Sequence, residues 1–315
     1  MKGRASEGGP GAEVTNAGAF VSCFGKMETR ADVFASARPM LFAIAYRMLG
    51  SVMDAEDLVQ EAYLRWEMAK ETDVRSPQAY LTTIVTRLAI NQLRAARTKR
   101  ETYVGSWLPE PLVTEEPTDS VELAESLSMA FLVLLERLAP VERAAYLLHE
   151  VFDFEYAEIA RVLDKTEANC RQLVTRARKR VGSPHARFEA DPAQAKRLVE
   201  KFTEASFAGD LEGLIALLAE DITLWGDGGG KVPGGARRPV HGASNVARLA
   251  LGFLRRLVPQ EITVRPTEIN GQAGFVAYVS GRPLSAVIFD IRDGRIQTIY
   301  AIGNPDKLQS LPVPS

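Results

Sequence analysis

The stretch "YAEIARVLDKTEANCRQLVTRARKRV", Tyr156 to Val181, spells two helices and the turn between them. Ile159, Ala160, Val162 and Leu163 give the first, short helix its apolar side. "DKTE" is a tight turn in which Thr166 is placed to cap the next helix, with Glu158 and Glu167 nearby. In that second helix Ala168, Leu173, Val174 and Ala177 form the apolar side. Arg171, Gln172, Thr175, Arg176, Lys179 and Arg180 are left toward solvent. Between residues 161 and 180 seven basic residues stand against two acidic ones. Two helices joined by three or four residues, the second basic, make a helix-turn-helix. Such a helix fits the major groove, where Arg reads guanine, Gln reads adenine, and flanking Lys and Arg hold phosphates. A solvated basic helix is the plain alternative, and the agreement of turn, cap and charge weighs against it.

Upstream lies another helical block, from about 30 to 98. In "DAEDLVQEAYLRWE", Asp54, Asp57 and Glu61 recur at spacings of three and four on one stripe, beside a buried stripe of Leu58, Ala62 and Trp66. The next helix opens at Ser76-Pro77 and ends in a basic run, Arg87, Arg94, Arg97, Lys99 and Arg100, with Tyr80 and Asn91 on or near it. Aromatics beside cations hold unstacked single-stranded bases. One helix is thus suited to a basic protein partner and the next to nucleic acid.

The rest of the chain divides by composition. Residues 1–29 are rich in Gly, Ala, Ser and Thr without periodicity, which predicts a disordered tail. Met27 offers a second candidate start. After the 30–98 block, residues 99–120 read as a linker, because three prolines in "YVGSWLPEPLVTEEPTDS" forbid a continuous helix. A second helical block spans 121–182 and a short linker 183–191. From 192 to 315 the period changes. Two helical stretches, "AQAKRLVEKFTEASFAGD" and "LEGLIALLAED", precede the β-like runs "ITLW", "EITVR", "FVAYVSG", "LSAVIFDI" and "RIQTIYAI". Asp293-Gly294 marks a type I′ hairpin. Helices first and strands afterwards predict an α+β domain with helices on one antiparallel sheet.

Composition bounds the classes. The 315 residues suffice for two or three domains, and 46% hydrophobic with 25% charged residues is that of a globular protein. No apolar run reaches the roughly 18 residues of a membrane span, and no secretion signal is read at the N-terminus. Cys23 and Cys170 are too few for a disulfide framework or a zinc site, and a reducing cytoplasm is the expected setting.

"RPMLFAIAYRMLGSVMDAEDLVQEAYLRW", "PQAYLTTIVTRLAINQLR" and the helix-turn-helix together closely resemble the extracytoplasmic-function (ECF) group of bacterial RNA polymerase sigma factors. The resemblance implies two all-α sigma domains. It implies that Asp54, Asp57, Gln60 and Glu61 dock on core RNA polymerase. Arg75, Tyr80, Arg87, Asn91 and Arg94 would capture melted −10 promoter DNA, and Arg171, Gln172, Thr175, Arg176 and Lys179 would face the −35 element. "WLPEP" (107–111), "DGGGK" (227–231) and "NPDKL" (304–308) further resemble the subfamily with a C-terminal SnoaL-like extension, a cone-shaped α+β fold shared with ketosteroid isomerases and nuclear transport factor two. That implies a regulatory contact within the chain, made by Trp107, Leu108, Pro109, Asp227, Gly228, Gly229, Gly230, Lys231, Asn304, Pro305 and Asp306, through a flexible loop exposing Asp227.

Other readings stay open at this level. "DGGGK" is a poor phosphate loop, since Lys231 leads into Val-Pro-Gly-Gly and not into a helix. Asp221, Asp227 and His241 could in principle form an acid-base set for an enzyme reading. The expectation is a non-enzymatic transcription factor without metal or cofactor, with room for a small ligand in the C-terminal domain. A one-component helix-turn-helix regulator with a ligand-binding cone is the alternative.

Overall fold

A computed structural model describes residues 29–70, 74, 76–113, 126–181, 191–257 and 261–313, the side chains of 97–101 excepted. The expected tail, the possible start at Met27, Cys23 and Arg75 lie outside the described residues.

Local signals set the helix limits. α1 (Arg30–Leu49) begins at a capping box between Thr29 and Asp32 and stops at Gly50, whose left-handed backbone (φ 66°) ends the helix. α2 (Val52–Met68) starts one residue after Ser51, whose hydroxyl accepts the Asp54 amide. α3 (Pro77–Glu101) starts at its proline. After the linker come α4 (Met129–Leu135), α5 (Pro140–Glu150), α6 (Tyr156–Leu163) and α7 (Glu167–Val181). The turn between α6 and α7 is as expected: Asp164 is left-handed (φ 54°), and the Thr166 hydroxyl accepts the Asn169 amide at 3.3 Å. One inner contact differs. Ala168 is exposed, and Cys170 with Val181 completes the buried side of α7.

The two helical blocks do not have separate interiors. Leu41, Ile44 and Leu81 of the first and Leu135, Leu147, Ile159 and Val174 of the second belong to one continuous core.

The C-terminal domain has the expected α+β character, stated in full by α8 (Pro192–Ala208), α9 (Leu211–Leu217), β1 (Leu218–Asp227), β2 (Val240–His241), α10 (Ala243–Leu257), β3 (Ile262–Ile269), β4 (Gln272–Val279), β5 (Arg282–Arg292) and β6 (Arg295–Ile302). The six strands lie in the order β2-β1-β6-β5-β4-β3. All neighbours are antiparallel except β1 and β6, which run parallel, so the sheet is mixed. Two assignments change. "LAED" opens β1 instead of closing a helix, and "ASNVARLALGFLRRL", a stretch given no element from the sequence, is a helix, α10. Its apolar face is regular, but the Gly/Pro-rich run before it hid the start. Asp293 and Gly294 both have positive φ at the β5–β6 hairpin, as predicted.

The sheet is covered twice. Phe289, Ile299 and Leu224 pack under α8, α9 and α10. On the other face Val276, Tyr278, Ala286, Ile288, Tyr300 and Ile302 pack on Leu108 of the linker and Met129 of α4. A sheet built mostly of antiparallel pairs commonly leaves one face to water. Here that face holds the sigma-like half of the chain, and full burial of Leu108 and Met129 contributes about 1.5–3 kcal/mol each.

Candidate functional site

The linker is a strip gripped from both sides. On the helical side it lies on the α1–α2 turn. A Cβ at Gly50 would come within 2.8 Å of the Trp107 ring, so only glycine lets the indole sit there. The Glu110 amide donates to the Gly50 carbonyl at 2.8 Å, and the Tyr46 hydroxyl donates to the Glu110 carbonyl at 2.6 Å. The Glu110 carboxylate accepts the amides of Val52 (2.6 Å) and Met53 (3.3 Å), capping α2 from a distant part of the chain. Burial pushes this carboxyl above the usual glutamate range, against the lowering effect of its hydrogen bonds.

On the other side Asp227, at the end of β1, is only 1% exposed. One carboxylate oxygen accepts the Leu108 amide at 2.8 Å and the Lys307 ammonium at 2.7 Å. The other accepts the Tyr103 hydroxyl at 2.5 Å and the Gly229 amide at 3.1 Å. The Lys307 ammonium also donates to the Leu108 carbonyl and lies 4.1 Å from the centre of the Trp107 ring. Asn304 donates to the Tyr103 hydroxyl at 2.8 Å, and the Asp227 carbonyl accepts the amides of Gly303 and Asn304. Burial, and then the bond to Asp227, hold the Tyr103 phenol above its ordinary value. "WLPEP", "DGGGK" and "NPDKL" therefore meet at one buried carboxylate.

Each glycine of "DGGGK" has its own neighbour. A Cβ on Gly228 would stand 3.0 Å from Val232, one on Gly229 2.5 Å from the Asn304 amide, and one on Gly230 3.1 Å from Val104. Gly229 and Gly230 also have positive φ. The expectation of a flexible loop exposing Asp227 is corrected here: the turn is tight, and the carboxylate is buried because it is saturated with donors. Lys231 and Asp306 do pair, at 2.5 and 2.7 Å, but on the surface. Pro305 is exposed and Pro109 buried.

A second contact escaped the sequence reading. Asn270, left-handed at the β3–β4 turn (φ 55°), is fully buried in the helical half. Its carbonyl oxygen accepts the Leu112 amide at 3.0 Å, and its amide nitrogen donates to the Tyr46 hydroxyl (2.6 Å) and the Leu127 carbonyl (3.2 Å). Its backbone amide donates to the Leu112 carbonyl, and Val113 bridges Ile269 as an added strand residue. Gln272 accepts the Met129 amide at 2.8 Å. The signal present in the sequence was Asn270-Gly271, a hairpin dipeptide.

The remaining expected residues sit on three faces. On α2, Asp57 and Gln60 are exposed and Asp54 and Glu61 half-buried, with Glu61 paired to Arg65 at 2.7 Å. Met53 (50% exposed), Leu64 (50%) and Met68 (76%) lie beside them, so the acidic stripe carries an apolar seam missed in the sequence. On α3, Tyr80, Arg87, Asn91 and Arg94 share one side by helical spacing. Tyr80 is half-buried against Trp66, ring centres 6.1 Å apart, and Asn91 and Arg94 are exposed. Arg87 donates to the carbonyls of Val162 (2.9 Å) and Arg161 (3.3 Å) at the C-terminal end of α6. On α7, Arg171, Gln172, Thr175, Arg176 and Lys179 are all exposed. Arg171 pairs with Glu167 and Arg176 with Glu142.

The acid-base set is not brought together. Asp221 and His241 are exposed, and His241 is paired with Thr223, four residues along β1 from Asp227. Among the described residues no group of His, Cys, Asp and Glu could hold a metal, and no helix is long and apolar enough to cross a membrane.

Comparison with known proteins finds two family regions in the helical part of the chain. Residues 33–99 match the model of sigma-70 region 2 and residues 128–181 that of sigma-70 region 4. The ECF RNA polymerase sigma factor SigJ of Mycobacterium tuberculosis is 40% identical over 297 residues, 89% of this chain and 93% of that protein. SigI of the same organism is 29% identical over 278 residues, 87% of this chain and 93% of its own. The crystal structure of SigJ superposes with a TM-score of 0.71 at 37% identity, covering 90% of this chain and all of that one. These relatives favour the initiation-factor reading over a one-component regulator.

Proposed function

The chain belongs to the ECF RNA polymerase sigma factors, proteins that bind core polymerase and promoter DNA, and we propose that its C-terminal domain holds the factor closed by clasping the linker. The observation that carries this is the Asp227 carboxylate, which binds Leu108, Tyr103 and Lys307 at once. Geometry supplies the consequence. Elements named for positions 25 base pairs apart are separated by ~85 Å of duplex at ~3.4 Å per pair. In this conformation α3 and α6 touch through Arg87, so one molecule cannot read both. Promoter use requires the two helical blocks to part, and the clasp opposes that.

The roles follow from the exposed faces. Asp54, Asp57, Gln60 and Glu61, with the Met53–Leu64–Met68 seam, dock on the polymerase. Tyr80, Arg87, Asn91 and Arg94, joined by Arg75, take the −10 strand once Arg87 leaves α6. Arg171, Gln172, Thr175, Arg176 and Lys179 enter the −35 groove. Trp107, Leu108 and Pro109 are held in the clasp by Asp227 to Gly230, Asn304, Tyr103 and Lys307, with Lys231, Pro305 and Asp306 at its exposed rim. The protein is not an enzyme in this reading, since Asp227 has no oxygen left for catalysis and its supposed partners stand apart. It acts in the cytoplasm, where its polymerase is.

Run-off transcription with purified core polymerase tests this. Asp227→Ala is expected to raise output from a cognate promoter at equal protein concentration, while Arg176→Ala lowers it. Unchanged output from Asp227→Ala, with polymerase binding intact, rejects the clasp as a regulator.

A further inference from the structure

The helix-covered face of the C-terminal sheet lines a cavity of about 170 Å³ that is open on one side, walled by Phe202 and Phe207 of α8, Phe253 of α10, and Phe275, Val287 and Ile299 of the strands. Of its three wall hydroxyls two are already used, and the third belongs to Ser285. Thr203 and Ser206 donate to carbonyls of their own helix at 2.8 and 2.7 Å, and Asp227, the one charged residue at its edge, turns both oxygens toward the linker side. Phe207, 51% exposed, marks the open side.

The roof of this cavity is the loop that leaves Asp227. Val232 and Ala236 fold back over the strand ends, and they can do so because residues 226, 228 and 303 are glycine. A Cβ there would stand 2.9 Å from Ala236, 3.0 Å from Val232 and 3.2 Å from Val232 respectively. Gly303 is in turn bonded to the Asp227 carbonyl at 2.8 Å. One face of the loop therefore grips the linker and the other closes the cavity.

We propose that this cavity binds a small uncharged aromatic molecule and that its occupancy tightens the clasp, so that the molecule is a co-inhibitor of promoter use. The ligand class follows from the walls: an apolar cavity of roughly 150 Å³ stays dry and accepts benzene, and one that is slightly larger and ringed by phenylalanines accepts one ring or an indole. A charged ligand would find no partner. The direction follows from linkage. The roof is anchored by the residues of the clasp, so the complete cavity belongs to the closed form, and whatever binds only that form stabilises it. The inference rests on the clasp reading for its effect, not for the site itself.

Indole is the probe, titrated calorimetrically into the full chain. Saturable one-to-one binding with a negative heat-capacity change is expected. Ala250→Phe, which fills the cavity from α10, is expected to weaken it about tenfold or more, and Ala301→Met does the same from β6 should the first variant not fold. The coupling has two readouts: saturating indole should slow hydrogen exchange at the Leu108 amide about fivefold, and Asp227→Ala, which weakens the closed form, should weaken indole binding. No binding, or equal binding by the filled variants, removes the site. Binding that is indifferent to Asp227→Ala and leaves Leu108 exchange unchanged overturns the coupling. Promoter output of Asp227→Ala without indole reports on the clasp alone, so the two failures are distinguishable.

Discussion

The C-terminal domain holds the linker at two points four residues apart, and the two grips are built from different chemistry. At Leu108 the grip is ionic: Asp227 and Lys307, both nearly sealed from water, share the backbone amide and carbonyl of one residue. At Leu112 it is neutral: Asn270 uses backbone and side-chain amide groups, and Val113 extends the β3 edge by a bridge. A buried ion pair is costly to form and very costly to break by halves, because the survivor is left charged in a dry site. An amide pair can be lost with the penalty of unmade hydrogen bonds only. The first is suited to a switch and the second to a hinge that keeps the parts in register.

Breaking the ionic grip is therefore expected to have the largest effect. Asp227→Ala strands the Lys307 ammonium, the Tyr103 hydroxyl and the Leu108 amide, at a cost to the closed form of about 3–5 kcal/mol. Adding Lys307→Met removes the stranded charge and should recover a substantial part of that loss. Hydrogen exchange along residues 103–112 measures both, and a double variant as open as the single one would show that the pair is not the source of the grip.

Asn270→Ala comes next, at about 2 kcal/mol for its lost side-chain partners, with a further cost for a left-handed alanine. Asn270→Gly keeps the backbone and isolates the side chain. Both should loosen Leu112 while leaving the Leu108 amide protected. Equal loosening at both sites would mean that the two grips are one cooperative unit.

Glu110→Gln separates charge from hydrogen bonding on the opposite side of the strip. Burial raises the Glu110 carboxyl in the folded chain, so the folded state binds the proton more tightly than the unfolded one. Its contribution to stability is then fully present below the ordinary glutamate value and is lost as pH rises through the raised one. The glutamine variant should flatten that slope and change neutral-pH stability by less than about 1 kcal/mol, as followed by thermal unfolding from pH 4 to 8. A steeper slope in the variant would contradict the burial argument.

These contrasts follow what could be read from residues alone. The helix-turn-helix was legible because turn, cap and periodicity are local, and Thr166, Leu173 and Ala177 stand as read. The meeting of Asp227 with Trp107 and Leu108 was legible only through family resemblance, since nothing local joins residues 119 apart. Asn270 and Glu110 were not legible in those roles. One looks like an ordinary hairpin residue and the other like a linker charge until the tertiary pairing seats them. Arg87 illustrates the limit most directly: its charge is plain in sequence, but its seat on the α6 carbonyls exists only because the two helical blocks share a core.

The smallest effect is expected where the sequence motifs look most complementary. Lys231 of "DGGGK" and Asp306 of "NPDKL" form the obvious charge pair between the two motifs, yet their side chains are 52% and 60% exposed. In water such a pair contributes about 0–1 kcal/mol, because hydration competes for both ends and ordering two long side chains costs entropy. Added salt screens what is left over a distance of about 8–10 Å. Lys231→Ala and Asp306→Asn should then leave promoter output and Leu108 exchange within about twofold of the parent, with the remaining difference vanishing in high salt. The ionic grip a few residues away should ignore the same salt, since the side chains of Asp227 and Lys307 are 0% and 8% exposed. If Asp306→Asn opened the linker as far as Asp227→Ala does, the hold on the linker would lie in the surface pair and not in the buried carboxylate.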